Sequence, residues 1–235
     1  MQVALPPITR EKITFNFIRS LVGAHAHTIL DIGAHHGWQS AELCRSFPQA
    51  AIHAFEPDPR AIAKFRERVR DPRVFLHEMA IAAVDGTAPF HVSSGLPPSI
   101  PSERLSDYPQ GWDQSGSLLA PKNHLTRTPW CQFNDTISVT TRTLDSWARE
   151  QEIDAVDFIW ADTQGAEGSL IQGGRELLAR TRYLYTEYSN EELYEGEPDL
   201  ATLLAMLPSF SVVKRYPFDV LLRNETLAGG AEEAR

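Results

Sequence analysis

The sequence predicts an α/β fold built on a mostly parallel, Rossmann-like sheet with helices on both faces. Short apolar runs rich in β-branched residues alternate with segments of helical periodicity, and this alternation is typical of βαβ units on a parallel sheet. The last two apolar runs, 210–214 and 219–222, lie on either side of Tyr216-Pro217. We therefore expect an antiparallel pair of strands at the end of the chain.

The first half of the chain is predicted to form three strands separated by two helices. The strands are the apolar runs 28–32, 51–55 and 74–77. The first helix covers 38–47, where apolar residues recur three and four positions apart and Pro48 follows. The second helix follows Asp58, a suitable N-cap, with Pro59 at its first position.

The second half continues the pattern with less regular spacing. A turn at Asp85-Gly86 precedes a short run at 89–92. Further strands are predicted at 137–141, 156–161 and 182–186, and helices at 144–150, at 165–178 as one continuous helix, and at 200–207.

We expect residues 1–235 to form a single domain, because the length and composition fit one core and no internal repeat is present. Within it, 1–27 is predicted to be an N-terminal helical segment, with an amphipathic helix over 10–21 that either packs on the core or covers the substrate. Residues 93–135 lack any periodicity, but their aromatic residues favour an ordered insertion that covers the substrate. Residues 228–235 are predicted to be a flexible tail.

Composition excludes several classes of protein. A net charge of −9 and a pI near 5.4 argue against a nucleic-acid partner, because binding to phosphate backbones needs clustered Lys and Arg. No run approaches the roughly 20 apolar residues that span a bilayer, and residues 1–10 lack the apolar segment of a signal peptide. The sequence therefore predicts a cytoplasmic protein with no membrane partner, whose Cys44 and Cys131 are reduced packing residues.

The first candidate site is the turn 31–37, Asp-Ile-Gly-Ala-His-His-Gly, between the first strand and its helix. Glycines allow a ligand to approach the backbone closely, and the helix N-terminus favours an anionic group. The turn lacks the three glycines of the dinucleotide fingerprint, which disfavours NAD. A purely structural strand-to-helix turn is the alternative, and His35 and His36 are expected to be partly exposed loop residues.

Two further sites follow neighbouring strands. Glu56, in Phe55-Glu56-Pro57, is suitably placed to accept hydrogen bonds from two ribose hydroxyls. The segment 162–167, Asp-Thr-Gln-Gly-Ala-Glu, follows the strongly apolar strand 156–161. Because ligands of open α/β sheets bind at the carboxyl ends of the strands, we expect all three sites to meet in one crevice.

These motifs resemble those of the FkbM-type methyltransferases over roughly residues 28–223. The shared segments, in family order and spacing, are Asp31-Ile32-Gly33-Ala34, Phe55-Glu56-Pro57, Thr143-Leu144-Asp145, and Asp157-Phe158-Ile159 leading into 162–167. The family often has Lys where this chain has Trp160. The resemblance implies a class I methyltransferase sheet of seven strands with the last one antiparallel, S-adenosylmethionine as methyl donor, and O-methylation of a sugar, a glycan or a small natural product.

The resemblance also suggests which residues bind the cofactor. These are Asp31, Gly33, Ala34, Gly37, Glu56, Pro57, Ala80 and Asp162.

Transfer to a hydroxyl needs a base near the acceptor, because an alcohol is a poor nucleophile while protonated. The catalytic candidates are Asp162, ranked first, then Glu187 and Glu167, with His124 as a further possibility. Glu167 is equally suited to capping its helix. A pair of acids holding Mg²⁺ against the acceptor hydroxyls is the alternative to a protein base.

Two other functions remain open at this stage. One is a nicotinamide-dependent oxidoreductase, and the other is a nucleotide-binding protein without catalytic activity. Thermal stabilisation by S-adenosylmethionine and S-adenosylhomocysteine but not by NAD would favour the methyltransferase, and ligand binding without methyl transfer to any hydroxyl would favour the non-catalytic protein.

Overall fold

The computed structural model describes the backbone of residues 5–230 and the side chains of residues 5–227. The strands, in chain order, are β1 (Thr28–Ile32), β2 (Ala51–Phe55), β3 (Val74–His77), β4 (Ala80–Ile81), β5 (Gly86–Gly95), β6 (Cys131–Arg142), β7 (Val156–Ala161), β8 (Thr181–Glu187), β9 (Phe210–Arg215) and β10 (Asp219–Asn224). The α-helices are α1 (Phe15–Val22), α2 (Trp38–Ser46), α3 (Pro59–Arg68), α4 (His124–Arg127), α5 (Leu144–Glu150), α6 (Glu167–Gly173), α7 (Arg175–Leu178) and α8 (Leu200–Met206). Two 3₁₀ helices cover Ser102–Asp107 and Glu225–Gly230.

Seven strands form the main sheet in the order β3-β2-β1-β7-β8-β10-β9. Neighbouring strands are parallel except around β10, which is antiparallel to both β8 and β9. The predicted fold class is therefore confirmed, including the antiparallel last strand. The two predicted closing strands also form the antiparallel pair expected from the sequence.

Helices cover both faces of this sheet, as predicted. One face is covered by α5, α6, α7 and α8. Trp147 of α5, Leu170 of α6 and Leu203 of α8 pack against the strands there. On the other face, α1 and α2 contribute Ile18 and Leu43. Burial of apolar surface stabilises the fold by roughly 25 cal/mol for each Å² removed from water. Both helical layers therefore stabilise the sheet.

The carboxyl ends of the three central strands are joined directly by backbone hydrogen bonds. The Gly33 and Ala34 N–H groups donate to the carbonyl of Phe55 at 3.0 and 2.9 Å. The Asp162 N–H donates to the carbonyl of Ile32 at 2.8 Å. The residues that follow β1, β2 and β7 are therefore held at one edge of the sheet.

The predicted insertion is more ordered at its ends than the sequence indicates. β5 and β6 form a long antiparallel pair in a second, three-stranded sheet of order β4-β6-β5. They extend well beyond the predicted runs 89–92 and 137–141. The sequence did not indicate the added residues as strand, because most of them are polar and partly exposed. Residues 96–130, between the two strands, contain a 3₁₀ helix and the short α4.

The prediction of a single helix over 165–178 is wrong. The chain forms two helices there, α6 and α7, with Gly174 between them. A Cβ built on Gly173 would lie 2.1 Å from the carbonyl oxygen of Ala82. The close approach of this backbone to the residues after β4 therefore requires glycine at the end of α6.

The chain ends differ in detail from expectation. The N-terminal helix begins at Phe15 rather than at residue 10, because the Thr14 side chain accepts a hydrogen bond from the Phe17 N–H and caps it. Residues 228–230 of the predicted tail belong to the second 3₁₀ helix, and residues 231–235 lie outside the described part of the chain. None of the helices in the described range is long and apolar enough to cross a membrane.

Replacing Gly173 with Ala should destabilise the protein by about 1–3 kcal/mol, because the added methyl group overlaps a backbone oxygen that cannot rotate away. Urea denaturation measures the change in the free energy of unfolding. The matched control is Gly168→Ala in the same helix, where the new Cβ meets only the Pro198 ring at 3.1 Å and helix propensity improves by about 1 kcal/mol. Equal stability of the two variants would contradict the proposed contact.

Candidate active site

A cavity of about 860 Å³ lies at the edge of the sheet where the central strands end. This volume falls within the range of roughly 300–1,000 Å³ that is typical of small-molecule sites. Its wall includes residues from all three sequence-predicted sites and from the insertion. The predicted residues on the wall are Gly33, Glu56, Pro57, Ala80, Asp162 and Glu187.

The other predicted site residues lie behind this wall. Ala34 is fully buried and donates its N–H to Phe55, and Gly37 faces the side chains of Phe65 and Val69. The Glu167 carboxylate accepts hydrogen bonds from the N–H and hydroxyl of Thr163 at 2.9 and 2.8 Å. Glu167 thus fixes the loop that carries Asp162, while its burial raises the pKa of the Glu167 carboxyl to about 7.

Gly33 is the position in the turn where glycine is indispensable. Its φ is +86°, and a Cβ there would lie 1.8 Å from the carbonyl oxygen of Asp162. No other residue fits between the ends of β1 and β7. The sequence explained this glycine by the close approach of a ligand. In the structure, the close approach of β7 to β1 also requires it.

Asp31 lies beneath the turn, with its whole side chain buried. The Ser40 hydroxyl donates a hydrogen bond to Oδ2, while Oδ1 has no hydrogen-bond partner among the described residues. Burial raises the pKa of the Asp31 carboxyl to about 7, although the Ser40 hydrogen bond opposes the shift. A buried carboxyl oxygen without a partner fits a ligand that brings positive charge or an N–H donor, such as the amino-acid end of S-adenosylmethionine.

Glu56 is held by backbone groups on both of its oxygens. Oε2 accepts from the His35 N–H at 2.7 Å, and Oε1 accepts from the Asp58 N–H at 2.8 Å. Burial raises the pKa of the Glu56 carboxyl to about 8, against the opposing effect of these two donors. Each oxygen keeps a second lone pair, so the oriented carboxyl on the cavity wall fits a pair of ribose hydroxyls.

Two further acids face the cavity from the ends of β7 and β8. The side-chain amide of Gln164 donates to Asp162 Oδ1 at 2.6 Å and to Glu187 Oε2 at 3.0 Å. Burial and the neighbouring Asp162 charge raise the pKa of Glu187 well above its usual range. Burial also raises the pKa of Asp162, which the Gln164 and Glu187 hydrogen bonds oppose. Burial thus opposes ionisation of both acids, and it does so most strongly for Glu187.

The insertion covers one side of the cavity and is held by Asp113. His35 and His36 direct Nε2 to the two oxygens of the Asp113 carboxylate at 2.6 and 2.8 Å, and their rings stack with centroids 3.6 Å apart. These hydrogen bonds hold the pKa of Asp113 well below its usual range, although burial alone would raise it.

The expectation that both histidines are partly exposed loop residues is wrong for His36, which is buried. His35 remains partly exposed on the cavity wall. The pairing with Asp113 was missed because Asp113 lies in a segment without any periodic signal.

His35, His36 and Asp113 also form the cluster of possible metal ligands within the described residues. A metal bound to both imidazoles must lie close to both ring planes, but these rings are nearly parallel, with 18° between planes stacked 3.6 Å apart. Mg²⁺ in addition prefers oxygen ligands. The cluster therefore fits a hydrogen-bonded attachment of the insertion better than a Mg²⁺ site.

His124 lies away from the cavity wall. It packs against Phe133 and Tyr194, and its Nδ1 lies 2.8 Å from the Thr128 hydroxyl. This position supports a packing role for His124 within the insertion.

Comparison with known proteins gives a consistent family match. The family model described as "Methyltransferase FkbM domain" matches residues 31–216. The 2-O-methyltransferase NoeI of Sinorhizobium fredii (strain NBRC 101917 / NGR234) is 43% identical over 215 residues, which cover 89% of this chain and 84% of NoeI.

Solved structures are more distant from this chain. An rRNA methylase from Streptococcus thermophilus has a TM-score of 0.46 at 12% identity, covering 89% of this chain and 93% of its own. Aeropyrum pernix fibrillarin, in complex with S-adenosyl-L-methionine, has a TM-score of 0.44 at 13% identity, covering 88% and 73% of the two chains.

The free energy of unfolding of the ligand-free protein should fall as the pH rises from 7 to 8.5. Buried histidines with lowered pKa values act in the opposite direction at lower pH, where the histidines of the unfolded chain bind protons. Acids in the unfolded chain are already ionised above pH 7, whereas Asp31 and Glu167, with pKa values of about 7, and Glu56, with one of about 8, still bind protons in the folded state. The folded state thus binds more protons, and each excess proton lowers stability by about 1.4 kcal/mol per pH unit. Urea denaturation at several pH values measures the slope.

Glu56→Gln should flatten this slope, because it removes one of the three groups. Glu67→Gln, an exposed change on α3, is the control and should leave the slope as it is. Stability that rises with pH over this range would contradict the burial-driven shifts.

Proposed function

The chain belongs to the FkbM methyltransferase family, and from this premise we propose that it methylates a hydroxyl of a sugar, a glycan or a small natural product. The protein is an S-adenosylmethionine-dependent O-methyltransferase. The observation that carries the proposal is the meeting of Glu56, Gly33 and Asp162 on one cavity. Neither the family nor NoeI supports a nicotinamide oxidoreductase or a non-catalytic nucleotide-binding protein.

The donor side of the cavity is assigned to the glycine turn and to the ends of β2 and β3. Glu56 would hold the ribose hydroxyls, and Pro57 and Ala80 would contact the adenosine. Asp31, Ala34 and Gly37 support the turn from behind, where Asp31 offers a buried oxygen that has no partner among the described residues. S-adenosylmethionine, when bound, supplies a methyl group activated by a sulfonium.

The acceptor is assigned to the space beside Asp162 and Glu187, under the insertion. Methyl transfer is an in-line displacement, so the acceptor oxygen must be held in line with the methyl group while water is excluded. Trp112 and Leu118 of the insertion contribute apolar surface to the cavity wall. This surface fits a cover that displaces water from the reacting groups.

Asp162 is the proposed base. The Gln164 amide donates to its carboxylate, which favours the charged form, and the lone pairs not bonded to Gln164 remain for the acceptor hydroxyl. Asp162 takes the hydroxyl proton as the oxygen–methyl bond forms, which contributes about 10²–10⁴-fold to the rate. Glu187, whose pKa is raised well above its usual range, is less suited as a base, and Glu167, bonded to Thr163, is the least suited of the three predicted acids.

The proposed class of acceptor rests on the similarity of this chain to NoeI. NoeI is named a 2-O-methyltransferase, and 43% identity over most of both chains supports transfer to a hydroxyl here. A small-molecule or glycan acceptor, the absence of nucleic acid among its partners, and a cytoplasmic location stay predictions. Mg²⁺ is the alternative to a protein base, but an acid pair that is already bridged by an amide donor favours the base.

An acceptor screen tests the proposed function directly. Purified protein with methyl-labelled S-adenosylmethionine is offered panels of methyl glycosides, oligosaccharides, polyols, catechols and short RNA, with and without EDTA. We expect label in hydroxyl-bearing glycosides or small natural products, unchanged by EDTA, and no label in RNA. Loss of transfer with EDTA and its return with Mg²⁺ would replace the base mechanism by the metal one. Stabilisation by S-adenosylhomocysteine without transfer to any acceptor would favour a non-catalytic binder.

Asp162→Asn should lower kcat by about 10²–10⁴-fold and change the dissociation constant of S-adenosylhomocysteine by less than about threefold, because the amide keeps the shape but cannot take a proton. Calorimetry measures binding, and label transfer measures kcat. Glu176→Gln, an exposed acid on α7, is the control. A collapse of donor affinity with little change in turnover would make Asp162 a cofactor contact instead.

A further inference from the structure

Gln164 lies between the two acids of the proposed acceptor site. Its side-chain nitrogen is 2.6 Å from Asp162 Oδ1 and 3.0 Å from Glu187 Oε2. An amide nitrogen has two N–H groups and does not titrate. Gln164 can therefore give one hydrogen bond to each acid at any pH at which the protein is folded.

The backbone directs this side chain into the cavity at a conformational cost. Gln164 has a φ of +52° and Gly165 a φ of +91°, so two consecutive residues have left-handed conformations. Such a φ is uncommon for a residue with a side chain and strains the backbone. A Cβ on Gly165 would lie 2.9 Å from the Tyr194 ring, which keeps that position glycine. The surrounding structure must therefore hold the turn.

The insertion holds it from the other side. The Ser117 hydroxyl donates to the carbonyl of Gln164 at 2.7 Å. The Tyr194 hydroxyl donates to the carbonyl of Ser115 at 2.8 Å and lies 3.4 Å from Gln164 Oε1. These contacts leave the amide oxygen facing Tyr194 and the amide nitrogen facing the acids. The insertion thus holds the backbone of Gln164, while its amide nitrogen faces the acids.

The charges around the pair make a neutral donor important. The titratable groups that act on Asp162 or Glu187 are His35 after β1, Asp31 on β1, Glu167 on α6, Tyr185 on β8, Asp219 on β10 and Tyr194. All except His35 are acids or phenols. Two carboxyls in such surroundings resist ionisation, and hydrogen bonds from an uncharged donor favour the charged form.

We propose that Gln164 is a positioning residue, whose amide fixes Asp162 and Glu187 in one arrangement and stabilises negative charge on the pair. Asp162 then remains available to take the proton of the acceptor hydroxyl. This inference rests on the proposed function of the site.

The test is the pH dependence of Gln164→Glu and Gln164→Leu. The first adds a third acid to the pair, and the second removes both donors, so both should raise the pH at which the pair ionises. We expect the acid limb of kcat/KM to move to higher pH by about one unit for Gln164→Glu and by less for Gln164→Leu. At neutral pH the rate should fall by about tenfold and recover in part near pH 9.

Two controls separate positioning from folding and donor binding. Gln172→Glu makes the same change on the exposed side of α6 and should leave the pH profile unchanged. The affinity for S-adenosylhomocysteine should stay within about threefold in all variants. A lower rate with an unmoved acid limb would mean that Gln164 only supports the fold, and the inference would be overturned.

A second measurement does not need an acceptor. In protein with ¹³C-labelled Asp and Glu carboxyls, NMR titration should show the ionisation of Asp162 and Glu187 moving to higher pH in both Gln164 variants. Titration curves that match wild type would overturn the inference. An absence of turnover in the wild-type protein, with the curves shifted as expected, would instead count against the proposed function alone.

Discussion

The hydrogen bonds that join the ends of β2, β1 and β7 determine where everything else in the site lies. Gly33 and Ala34 both donate to Phe55, while the Asp162 N–H returns to Ile32. The turn after β1 is therefore hydrogen-bonded to both neighbouring strands at residues that line the cavity. This attachment places the backbones of Glu56 and Asp162, and hydrogen bonds to their carboxyl oxygens then orient the side chains. It also leaves no room for a side chain at Gly33.

Electrostatics distinguishes the two halves of the cavity. On the donor half, Glu56 is oriented by two backbone N–H groups. Asp31 lies beneath the turn, and one of its oxygens has no hydrogen-bond partner among the described residues. On the acceptor half, Asp162 and Glu187 share the amide donor of Gln164. Burial disfavours charge on all four carboxyls. A positively charged ligand such as a sulfonium would relieve that cost, which agrees with the donor used by the family.

The sequence predicted the sheet, its closing antiparallel pair and the meeting of three motifs, because apolar periodicity and strand-end motifs are local signals. It did not reveal the break between α6 and α7, nor the distant carbonyl of Ala82 that leaves no room for a side chain at Gly173. It also missed the pairing of Asp113 with His35 and His36, which spans 77 and 78 residues. Contacts of that kind depend on tertiary packing, and no local pattern encodes them.

The insertion is carried on two long strands that lie outside the main sheet and return to the core beside β4. Loops mounted on a rigid scaffold tolerate sequence change far better than the scaffold does. Residues 96–130 can therefore diverge among related enzymes while the donor half stays the same. Exchanging this segment between homologues, with Asp113 retained as the point of attachment, is a natural route by which one ancestral enzyme acquires new acceptors.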